Sequence, residues 1–120
     1  MALKPRIHPA DEPLIRARFA AAVNMTSAEI ARWLETDESR AVGFTRRGEN
    51  ESVGRQSGRR IVVILKTRQA ELTESDYVHM RKVIGFVKRH RAQRPAGDVS
   101  RTRWRYSLMN WGNDPLKGDA

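Results

Sequence analysis

The chain has 120 residues, carries 23 Lys and Arg against 14 Asp and Glu for a formal charge of +9, and contains no cysteine. That length is expected to hold one ordinary domain, with no room for a catalytic domain beside a regulatory one. The missing thiols exclude disulfide frameworks, Cys-ligated zinc, iron–sulfur clusters and thiol nucleophiles, while the charge points to a polyanionic partner without specifying a fold.

Residues 1–10 contain two prolines and no periodicity, so a flexible N-terminal arm is expected there. Lys4, Pro5, Arg6, His8 and Pro9 break any apolar run of a secretory leader, and no stretch approaches the ~18 apolar residues of a membrane span. The expected location is the cytoplasm. From Asp11 as N-cap and Pro13 in the first turn, Leu14, Ile15, Ala17, Phe19, Ala22 and Val23 trace a helical stripe. Thr26 with Glu29 reads as a capping box that opens a second helix burying Ile30, Trp33 and Leu34. Thr36 can recap a short extra turn that Gly43 ends.

Between Gly43 and Gly58 the periodicity vanishes into Gly, Arg, Ser, Glu and Asn, which predicts a long Gly/Arg-rich loop. Ile61, Val62, Ile64 and Leu65 then form a helical stripe, and Thr73 with Asp76 is a second capping box at the head of the longest helix, which runs to about Gln93. The tail holds Trp104 and Trp111 and is expected to fold back as a helix to about Asn110. The whole reads as an all-α bundle of four or five helices over 11–117, with 118–120 a flexible C-terminus. Its third and fourth helices meet loosely like a helix-turn-helix pair.

Charge is distributed unevenly. Residues 1–42 carry six basic and six acidic groups, whereas 43–70 carry seven against two and 71–97 six against three. On the long helix, steps of about 100° per residue gather Arg81, Lys82, Gly85, Lys88 and Arg89 into an arc of about 120°, opposite most of the apolar face. A glycine among four cations would let a sugar-phosphate backbone lie close to the helix axis. Ser57 is expected to cap the helix after the loop, placing Arg55, Arg59 and Arg60 around an anion-attracting helix start, with Arg46 and Arg47 behind them in the loop.

Catalytic patterns are poor. His8, His79 and His90 lack metal-ligand spacing, and Glu49-Asn50 stand where a phosphate-binding P-loop requires Lys-Ser/Thr. No metal, no cofactor and no enzymatic activity are therefore expected. Asp76 and His79 read as a helix-start carboxylate beside a histidine, and Asn110, Trp111, Asn113 and Asp114 as a turn that anchors the tail.

Several segments, among them Asn24-Met25-Thr26, Glu51-Ser52-Val53-Gly54, Ser57-Gly58-Arg59-Arg60-Ile61, Tyr77-Val78-His79-Met80-Arg81-Lys82-Val83 and Arg103-Trp104-Arg105-Tyr106-Ser107-Leu108-Met109-Asn110-Trp111-Gly112, resemble a family of short bacterial proteins. The family is domain of unknown function number three thousand one hundred and forty. The resemblance implies kinship from about residue 11 to about 117. Members are commonly labelled DNA-binding, and the resemblance assigns no residue a role. The expected function is nucleic-acid binding mainly through phosphates, DNA ahead of RNA, which would place the protein with the nucleoid. The alternatives are a protein-interaction module or homo-oligomer whose basic face meets an acidic partner, and a small hydrolase built on an enclosed pocket.

Overall fold

Hydroxyl side chains start five of the six α-helices found among the described residues. In the computed structural model, which describes residues 6–117, these are α1 (Glu12–Ala22), α2 (Ser27–Leu34), α3 (Asp37–Arg40), α4 (Val53–Lys66), α5 (Glu74–Arg91) and α6 (Arg103–Asn110). Thr26 and Thr73 each make the full capping box: the Thr26 hydroxyl accepts from the Glu29 amide (3.1 Å) while the Glu29 carboxylate accepts from the Thr26 amide (2.8 Å), and Thr73 does the same with Asp76. Thr36, Ser52 and Thr102 cap α3, α4 and α6.

Helix α1 begins differently. A 3-10 turn at Pro9–Asp11 runs straight into it, capped by His8 Nδ1, which accepts from the Ala10 amide at 3.0 Å. Asp11 already has helical backbone angles and its side chain caps nothing. Within the segment expected as an arm, Ile7, 4% exposed, joins the core. The first five residues of that arm and the expected flexible C-terminus at 118–120 lie outside the described residues.

The core is one apolar cluster. Helix α5 packs chiefly on α1 and α4 chiefly on α2, while α6 closes the bundle against α2, α3, α4 and α5. Ile15 and Phe19 meet the α5 face of Tyr77, Met80, Val83 and Val87, and Ile30, Leu34, Ile61, Ile64 and Leu108 complete the cluster. Leu14 and Ala17, placed on the first helix's stripe by periodicity, face solvent. No strand occurs among the described residues, and no helix there is long and apolar enough to cross a membrane.

The expected loop over 43–58 ends early. Ser52, not Ser57, caps the helix, its hydroxyl accepting from the Arg55 amide at 3.2 Å. Gly54, Arg55, Ser57 and Gly58 therefore form the buried face of the first turns of α4. A Cβ on Gly58 would meet the Asn110 carbonyl oxygen at 2.6 Å, so this glycine lets α4 and the end of α6 touch backbone to backbone. Helices α4 and α5 are not joined by the short turn of a helix-turn-helix. The connection over 67–73 contains its own 3-10 turn, Gln69–Glu71, and the two helices meet through side-chain bonds rather than close axial packing.

Candidate functional site

The arginines expected around a helix start have other work. Arg55 is buried, its side chain 7% exposed, and Nη1 donates to the Leu34 carbonyl (2.6 Å) and the Ser39 hydroxyl (2.7 Å) while Nη2 pairs with Glu51 at 3.2 Å. The same carboxylate receives Arg59 through Nε and Nη2. The Arg59 hydrogen bond holds the Glu51 carboxyl below its usual range despite partial burial, and raises Arg59 in return. Arg60 reaches Ser75 (2.7 Å) and Asp76 (3.5 Å), and Arg46 sits 3.8 Å from Glu49. Ser57 Oγ lies 2.9 Å from His79 Nε2. Among the cations expected at the loop and helix start, only Arg47 is exposed without an ion pair or hydrogen bond among the described residues.

The long-helix stripe stands apart. Arg81, Lys82, Lys88 and Arg89 are all exposed, and none has a hydrogen bond or ion pair among the described residues. One face of α5, from Val78 through Arg81, Lys82, Gly85 and Phe86 to Arg89 and His90, lines a groove of about 890 Å³. This face extends roughly 18 Å at 1.5 Å rise per residue. Gly85 lies at its middle, where a Cβ would meet the Arg89 guanidinium at 2.9 Å, so the missing side chain is space for an arginine head and not for a neighbouring helix.

Other segments complete the groove: Gly43, Phe44 and Arg46 from the loop, Val53 and Gly54 from the start of α4, Arg6 and Ile7 before α1, and Ser107, Asn110 and Trp111 at the end of α6. Five cations and no carboxylate line it. Phe44 is 73% exposed, yet its backbone is held, since its carbonyl accepts from the Val53 amide at 2.8 Å and Gly43 before it turns the chain at φ +99°. Phe44, Arg6 and the ring edges of Phe86 and Trp111 were not singled out from the sequence as site residues. A lone aromatic between Gly43 and Arg46-Arg47 in an otherwise polar loop was the visible signal for Phe44.

Beneath the groove the rings form a ladder: His79, Trp111, Phe86, His90 and Trp104, each within 15° of parallel to the next. The Trp111 and Phe86 centroids are 4.3 Å apart, and Arg94 covers the far end, 5.6 Å above Trp104. Trp104 Nε1 donates to the His90 carbonyl at 2.6 Å, and since the Trp104 carbonyl can only accept, His90 Nε2, 3.2 Å from it, carries that ring's proton. Burial lowers both histidines. His79 falls to about 4, pushed further by the charges of Arg60 and Lys82, and both rings are neutral at pH 7.

The tail motif has a structural explanation. Asn110 is buried, accepting from Trp33 Nε1 (2.8 Å) and the Ser39 hydroxyl (2.5 Å) and donating to the Ser39 carbonyl (3.2 Å). Gly112 turns at φ +80° against Val23 and Ile30, Asn113 donates to the Ala22 carbonyl, and Arg105 grips Asp114 through Nε and Nη2. Here Asn110, Asn113 and Asp114 anchor the turn.

Chemically, the arrangement can hold anions and apolar rings. Ser57 is buried in the contact between α4 and α5, and His79 does not line the groove, so the Ser–His pair offers no open nucleophile. Asp76 is engaged by Thr73 and Arg60 and leaves His79 without a carboxylate partner. Among the described residues no three His, Asp or Glu side chains gather as a metal site requires. No curated protein and no solved structure matches the chain significantly. The family described as "Protein of unknown function (DUF3140)" matches residues 18–109, and the chain belongs to it.

Proposed function

We propose that the protein binds nucleic acid, DNA first, along the α5 groove and through phosphates, and that it is a binding module rather than an enzyme. One observation carries this reading: Arg6, Arg81, Lys82 and Arg89, none with a carboxylate partner among the described residues, line one groove that has no acidic side chain in its lining. An arginine already in an ion pair offers a phosphate little net charge, which sets Arg55, Arg59 and Arg60 aside. Arg6, Arg81, Lys82 and Arg89 remain as the grip in the groove, with Lys88 and Arg47 as unpaired cations outside its lining and Arg46 at the loop edge shared with Glu49. If about five phosphates are neutralised, affinity falls roughly 500-fold between 50 and 200 mM salt, from a slope of about −0.9 per contact. Fluorescence anisotropy with mixed-sequence DNA across that range tests this, and a flat response refutes it. Association with the nucleoid would follow from such binding.

The apolar part of the groove favours a second reading, an acidic amphipathic peptide with apolar anchors against Ile7, Phe86 and Trp111 and carboxylates on the rim. Competition between DNA and such a peptide for the same protein separates the two.

A further inference from the structure

We propose that the groove accepts a single strand of nucleic acid, with the Phe44 ring as a stacking platform for a base and the α5 cations on the phosphates. The proposal rests on the nucleic-acid reading above and narrows it. A duplex turns its base faces inward and presents phosphates outward, so it would leave an apolar floor of Val78, Phe86 and Trp111 unfilled. A single strand offers base faces to rings and a backbone to cations at once, and stacking of this kind tolerates any sequence.

Phe44 is where the observations meet. Its ring is 73% exposed and stacks on no other ring of the protein among the described residues, while the Val53 amide and the Gly43 turn hold its backbone at the groove. An apolar ring fixed in water beside unpaired cations suits a ligand that is both flat and anionic. The groove face of α5 spans roughly 18 Å, room for about five nucleotides at the ~3.4 Å axial rise of a stacked strand. A second copy of the chain is a poor occupant, because two +9 molecules would bring their cation-lined grooves together.

The test is anisotropy on the full chain at low salt with three labelled probes: oligothymidylate about ten nucleotides long, a mixed-sequence duplex of equal length, and an acidic Leu/Glu peptide. Oligothymidylate is expected to bind at least about tenfold tighter than the duplex. Phe44→Ala should weaken the single strand by about 5- to 150-fold, the range for loss of one stacked base, and the duplex by less than about twofold. Phe44→Trp should restore single-strand binding, and the fluorescence of its new indole should be quenched by oligothymidylate. Duplex binding equal to or tighter than single-strand binding, or a Phe44→Ala variant that keeps its single-strand affinity, overturns this inference and leaves the nucleic-acid reading standing. Binding of neither strand, or tighter binding of the peptide than of both, overturns the two together.

Discussion

Gly58 and Gly85 each interrupt a helix interior, and helix propensity alone assigns both the same penalty of about 1 kcal/mol relative to alanine. Their surroundings separate them. A methyl at Gly58 would press on the Asn110 carbonyl at 2.6 Å and on Leu34 at 3.1 Å, and a backbone oxygen held by the α6 turn has no rotamer to escape into. Gly58→Ala is therefore expected to destabilise by about 1–3 kcal/mol, the range for overpacking a closed contact. At Gly85 the obstacle is the mobile end of Arg89, so Gly85→Ala should gain up to about 1 kcal/mol as the helix recovers propensity. Urea midpoints of the two variants should move in opposite directions. A bulkier residue at Gly85 fills the groove instead, and Gly85→Phe is expected to lower nucleic-acid affinity while leaving the unfolding free energy in urea melts within about 1 kcal/mol of the parent.

Helix by helix, the caps carry the clearest stability expectation, because each bond is local and has one donor. Thr73→Ala removes the acceptor for the Asp76 amide and should lower stability by about 1 kcal/mol in urea melts. Acid acts on the contact between α4 and α5, where His79 meets Ser57. With His79 at about 4 when folded, against 6.5 for the free side chain, the unfolded chain takes up a proton that the fold refuses. Its contribution is thus whole above pH 6.5 and lost as pH falls toward 4. His90, lowered by burial, adds to that window, and below it the depressed carboxyls of Glu51, Asp76 and Asp114 take over. His79→Gln can keep a bond to Ser57 without titrating, so it should flatten the decline between pH 6.5 and 4, read as urea midpoints at each pH. The caps at Thr26, Thr36 and Thr73 and the α5 stripe are legible in the sequence for one reason: each is a pattern within a few residues of chain. The start of α4 was not, because its buried face is Gly54, Arg55, Ser57 and Gly58, which has no apolar period. Arg55 can be buried only because Leu34 and Ser39, far back in the chain, receive its donors.

Across the molecule, the +9 charge divides into two populations that sequence position does not reveal. The excess over 43–70 suggested a grip centred on the loop, yet folding brings Glu51 between Arg55 and Arg59 and Asp76 to Arg60, acids placed beside those cations by capping and by the return of α5. The groove itself was hidden because five separate stretches of chain build it, and only its α5 face shares one period. This division predicts different failures for different arginines. Replacing Arg81 and Lys82 by Gln should cut the salt slope by about 0.9 for each cation removed and leave stability within about 0.5 kcal/mol, as expected for exposed residues without partners. Arg55→Met should do the reverse. It takes the Arg55 donors from the Leu34 carbonyl and the Ser39 hydroxyl and one of two cations from Glu51, which keeps Arg59, lowering stability by about 1–3 kcal/mol, while the molecules that remain folded keep the parent slope. Anisotropy at several salt concentrations, run beside urea unfolding of the same samples, reads both quantities. A slope that fell with Arg55 and not with Arg81 and Lys82 would move the binding surface off α5 and back to the head of α4.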